Sequence, residues 1–93
     1  MAVGVLEVKL KLHGIQTLKE KRSLVESLLI RARREFNVSA AELDSTDDPG
    51  TAVLGFAHLS NDGGFSDRVL MGLLRSLEGE RTFFVEDWRL EVL

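Results

Sequence analysis

Residues 4–20, GVLEVKLKLHGIQTLKE, change their hydrophobic period halfway along, and that change decides the fold class. Leu6, Val8, Leu10 and Leu12 fall at every second position, while Glu7, Lys9 and Lys11 take the alternate ones. A period of two with one polar face is a half-buried strand, β1 over residues 4–12, ended by His13-Gly14. Thr17-Leu18-Lys19-Glu20 then forms a capping box. The Thr17 hydroxyl serves a free N–H of the first turn, and Glu20 reaches back to the N–H of Thr17. Leu18, Leu24, Val25, Leu28, Leu29, Ala32 and Phe36 follow at helical spacing on one face. Arg31, Arg33 and Arg34 crowd the last turns, where cations favour the helix dipole. The spacing predicts helix α1 over residues 18–36, stopped by Asn37.

Working outward, residues 38–43 read as a short strand, β2, and residues 44–50 (DSTDDPG) as a loop with a Pro-Gly turn. Residues 51–60 (TAVLGFAHLS) have few charges and suit a strand, β3, buried on most of both faces. Several cap residues follow, and Phe65, Val69, Leu73 and Leu77 then step by four with Leu70 and Leu74 beside them: helix α2, closed by Gly79. Residues 82–93 alternate Phe84, Glu86, Trp88, Leu90 and Val92 against Phe83, Val85, Asp87, Arg89 and Glu91, strand β4. The order β-α-β-β-α-β predicts an α+β, ferredoxin-like two-layer sandwich. It has a four-stranded antiparallel sheet, both helices on one face and the other face open. No repeat, linker or low-complexity tract interrupts it, so residues 1–93 are read as a single domain.

Composition narrows the function. A chain of 93 residues with 44% hydrophobic and 29% charged side chains builds one thin core. With no cysteine, disulfides, iron–sulfur clusters and thiol nucleophiles are ruled out. No apolar run nears membrane-spanning length, and the alternating start is unlike a signal peptide, so a cytoplasmic protein without membrane contact is expected. The net charge of −3 is uneven: residues 1–41 carry +4 and residues 42–93 carry −7.

The helix start Thr17-Leu18-Lys19-Glu20-Lys21-Arg22 resembles the S/T-L-K-E-K-R signature of the YlxP-like proteins, an uncharacterised bacterial family with the domain of unknown function 503. Residues 36–42 (FNVSAAE), 52–55 (AVLG), 60–62 (SND) and 3–6 (VGVL) agree in order. The resemblance implies the same ferredoxin-like fold and a setting among translation and ribosome-maturation genes, and it carries over no catalytic residue. The chain departs from the family across residues 44–51, where relatives carry an Asp-x-Trp-Gln-Arg-like stretch.

Chemistry is sparse. The loop His13-Gly14-Ile15-Gln16 lacks the arginine and glycines of an acylphosphatase cradle, and phosphate-loop and dinucleotide fingerprints are absent. His13 and His58 read as surface or half-buried residues, and no Ser or Thr has an evident His partner. Asp44, Asp47, Asp48 and Asp62 lack calcium-loop spacing. No enzyme activity, metal or cofactor is expected. The candidate binding residues are cationic: Lys9 and Lys11 on β1, and Lys19, Lys21, Arg22, Arg33 and Arg34 on α1. Lys21 falls inside the apolar arc, either snorkelling with its amine in water or held at the sheet edge for a phosphate or carboxylate. RNA recognition also calls for exposed aromatics. β1 offers none, and the face of Phe56 is open. The expected function is a binding or accessory module that meets RNA or the ribosome through the α1 flank together with the open sheet face. The alternative is a homo-oligomer, in the simplest case a dimer, built on spare apolar residues of β3, β4 and Ile30.

Overall fold

The sheet is ordered β2-β3-β1-β4 with every neighbouring pair antiparallel, so the first strand is central and the last lies at an edge. This is the ferredoxin-like α+β arrangement, seen in a computed structural model that describes residues 1–44 and 47–93. The elements are β1 (Ala2–Leu12), α1 (Leu18–Phe36), β2 (Ser39–Asp44), β3 (Thr51–Ser60), α2 (Gly63–Glu78) and β4 (Phe83–Val92). β1 starts two residues earlier than its alternation predicts, because Ala2 and Val3 still pair with Ser60 and Leu59. The predicted loop over residues 44–50 includes Ser45 and Thr46, which lie outside the described residues.

Local signals account for the helix ends. Thr17 is extended, and its Oγ1 accepts from Glu20 N at 3.1 Å. The hydroxyl donates to Glu20 Oε1 at 3.0 Å, so Glu20 closes the box on the Thr17 hydroxyl. Asn37 takes the left-handed conformation at φ 52° and ends α1. Asp62 caps α2 by accepting from Gly64 N at 2.9 Å. Gly79 closes α2 at φ −81°, a right-handed conformation open to any residue.

The core lies between sheet and helices. Leu6, Val8, Leu10 and Leu12 of β1, Ala52, Leu54 and Phe56 of β3, and Phe83 of β4 face Val25, Leu28 and Ala32 of α1 and Leu70, Leu73, Leu74 and Leu77 of α2. Phe56, at 2% exposure, belongs to this face and leaves no aromatic of β3 on the open side. β3 is sealed only toward the helices. On its other side Thr51, Val53, Gly55 and Ala57 are half-buried, and Leu59 is exposed.

β4 departs from the alternation its sequence predicts. Asp87 pairs with Lys9 but Val85 pairs with Leu10, so Glu86 is the extra residue of a bulge. The extra residue shifts parity. Phe83 and Val85 share the helix-facing side with the positions of Trp88, Leu90 and Val92, while Phe84 joins Asp87, Arg89 and Glu91 on the open side. Phe84 and Trp88, four residues apart and on one side of the predicted alternation with Glu86 between them, therefore stand on opposite faces.

Candidate functional site

The seven predicted cationic residues do not form one surface. Lys9 and Lys11 alternate with buried Val8, Leu10 and Leu12, so they stand on the open sheet face. Lys19, Arg22, Arg33 and Arg34 are exposed on α1, which packs on the other side of the sheet. The sheet separates the two groups, so the α1 flank and the open face are distinct surfaces. Arg33 is partly engaged, donating from Nη2 to the Ala40 carbonyl at 2.6 Å. Arg31 pairs with Glu80 at 2.7 Å and ties α1 to the end of α2.

Lys21 does not snorkel. It is 3% exposed. Its Nζ donates to the Asp48 carbonyl at 3.1 Å and stands 3.9 Å from Glu42 Oε2. The amine thus fastens α1 to the edge strand β2 and to the turn that follows it. A buried ammonium requires such partners.

The open face gains an aromatic that alternation had left unplaced. Phe84, exposed at 47%, sits opposite Lys11 on the neighbouring strand. The His13 ring stacks on it with centroids 5.6 Å apart and 28° between planes. Lys9 lies between Val53 and Asp87, and Glu7 meets Arg89 at 3.4 Å. One end of the face is therefore basic and aromatic. Toward β3 and β2 the face is more apolar: Val5 and Leu59 are exposed, and Leu43 lies over Gly55, where an added Cβ would come within 2.7 Å of it.

On the helix side, His58 does have hydroxyl partners. Its Nδ1 is 2.9 Å from Ser66 Oγ, and Ser66 Oγ is 2.6 Å from Ser60 Oγ. Strand β3 and helix α2 meet there across eight residues of sequence, a relation no local spacing reveals. Gly4, paired with His58, permits the approach, since a Cβ on it would lie 3.3 Å from Ser66 Cβ and 2.7 Å from Leu70 Cδ1. Ser66 is fully buried, so this pair is not set out as an exposed nucleophile beside its base. Among the described residues, no cluster of three or more His, Asp or Glu side chains is disposed to hold a metal ion, and no helix is long and apolar enough to cross a membrane.

Similar proteins, by sequence or by fold, set the chain in context. The uncharacterized protein YlxP of Bacillus subtilis (strain 168) is 27% identical over 90 residues, which cover 92% of this chain and 98% of that protein. Among solved structures, protein YJCS from structural genomics superposes with a TM-score of 0.54 at 13% identity, covering 96% of both chains. An amidase of the hydantoinase/carbamoylase family from Burkholderia phymatum superposes with a TM-score of 0.52 at 15% identity, covering 98% of this chain but 28% of that one. At such identities these two structures speak for the fold alone. The model of the family described as protein of unknown function (DUF503) matches residues 3–90, nearly the whole length, and the chain belongs to that family.

Proposed function

We propose that this protein is a non-enzymatic binding module of the cytoplasm that contacts single-stranded RNA, in a ribosome-linked setting, through the basic and aromatic end of its open sheet face. The observation that carries this reading is Phe84, exposed beside Lys11 and backed by the His13 ring. A base stacked on such a ring gains about 1–3 kcal/mol without regard to sequence, and adjacent lysines meet the phosphates on either side. Lys19, Arg22 and Arg34, on the opposite side of the sheet, add long-range attraction only.

The test is fluorescence anisotropy with a labelled single-stranded pyrimidine RNA at low salt. Phe84→Ala and Lys9/Lys11→Ala should each weaken binding about tenfold, whereas Lys19/Arg22/Arg34→Ala should change it by less than about threefold. Absence of binding at low salt, or equal losses from both faces, would sink the reading.

The exposure of Val5, Leu43 and Leu59 on the same face favours a second reading, a homodimer joined through the apolar part of the open sheet. Light scattering decides it. A monomer at high concentration, with no change on Leu59→Lys, would remove the dimer.

A further inference from the structure

Between the carboxyl end of α1 and the first turns of α2 runs a crevice of about 340 Å³, on the opposite side of the sheet from the proposed RNA contact and independent of it. Phe36, Phe65 and Val69 line it together with exposed Glu35 and Arg68 and buried His58. This volume suits a small ligand, and the lining is mostly apolar with a few convergent polar groups.

Two hydroxyls hold the His58 ring. Its Nδ1 shares a hydrogen bond of 2.9 Å with Ser66 Oγ, which shares another of 2.6 Å with Ser60 Oγ. Nδ1 is thereby engaged within the protein, and Nε2 is left for a ligand. His58 is 5% exposed, and the described residues include no sealed side-chain nitrogen or oxygen lacking a hydrogen bond. Because Nε2 has no such bond, it must open onto space that His58 lines, which is the crevice. Phe65 holds the ring from the side, with centroids 5.4 Å apart and 67° between planes.

Charge divides the crevice. Glu35 and the carbonyl end of α1 at Asn37 favour a cation or a hydrogen-bond donor. Arg68, in the amino-terminal half of α2, favours an anion. Neither Glu35 nor Arg68 has an ion-pair partner among the described residues. We infer that the crevice binds a small zwitterion with an apolar body, an α-amino acid with an aromatic or aliphatic side chain. Its ammonium group faces Glu35, its carboxylate faces Arg68, and its side chain lies against Phe36, Phe65 and Val69 beside His58.

The experiment is NMR titration of the intact chain, following the His58 imidazole signals, with L-phenylalanine as the probe. Phenethylamine, which lacks the carboxylate, and 3-phenylpropionate, which lacks the ammonium, serve as half-charged comparisons. L-phenylalanine should shift the His58 signals and bind about tenfold more tightly than either comparison. Arg68→Gln should weaken L-phenylalanine and leave phenethylamine unchanged, and Glu35→Gln should weaken L-phenylalanine and leave 3-phenylpropionate unchanged. Both side chains are exposed, so these variants leave the core intact. No shift at about 10 mM L-phenylalanine, or a half-charged comparison binding as tightly, overturns the inference.

Discussion

Lys21 shows how a residue within a binding-like motif can serve the fold. It stands in Thr17-Leu18-Lys19-Glu20-Lys21-Arg22, where Thr17 caps α1 and Leu18 is half-buried at its first position. The Lys21 amine reaches Glu42 and the Asp48 carbonyl, 21 and 27 residues further on. Its stem fills a core position of α1 between the cap and Val25. Much of its contribution is therefore packing, since Glu42 is partly exposed and the turn at Asp48 is open to water. Lys21→Ala, which removes stem and amine together, should cost about 2–3 kcal/mol. Lys21→Met keeps the volume and lets water serve Glu42 and the Asp48 carbonyl, so it should lose about 1 kcal/mol less than Lys21→Ala. Urea denaturation of the two variants measures the difference. Equal losses would show that the amine, and not the stem, sets the stability of this junction.

At the scale of elements, legibility followed locality. The alternation of Leu6, Val8, Leu10 and Leu12 and the Thr17 cap are properties of consecutive residues, so β1 and α1 could be read directly. The bulge in β4 is a property of pairing with β1, so the parity of Phe84 and Trp88 was hidden until the strands were aligned. The contact of His58 with Ser66 joins a strand to a helix across a turn and was invisible for the same reason. The bulge also makes its own prediction. Removing Glu86 lets Asp87 follow Val85 in regular alternation, so every helix-facing side chain keeps its face. The deletion should fold, with the melting temperature lowered by less than about 5 °C, equivalent to a loss of under ~1 kcal/mol. It should also flatten an edge strand whose irregularity discourages pairing with another copy. A larger mass by light scattering at matched concentration, with the fold retained by circular dichroism, is the expected result. An unfolded product would mean that Glu86 is needed for the register itself.

For the whole molecule, the decisive fact is how the topology mixes the two oppositely charged halves of the chain. β1, from the basic half, lies between β3 and β4 of the acidic half, which sets Lys9 beside Asp87 and Glu7 beside Arg89. The Lys9–Asp87 pairing offsets only part of the +4 and −7 asymmetry at short range, and a chain of net charge −3 has little general attraction for nucleic acid. Any RNA contact must come from local groups, and on the open face these are Lys11 and Lys9 with Phe84 between them and His13. Two lysines neutralising two phosphates of a single strand predict a slope of about −1.4 in log K against log salt. Lys9/Lys11→Ala should flatten that slope toward zero. Phe84→Ala should lower affinity at every salt concentration and leave the slope unchanged, because stacking releases no counterion. A slope of about −2.1, abolished by Lys19/Arg22/Arg34→Ala, would instead place the contact on α1, across the sheet from the aromatic pair.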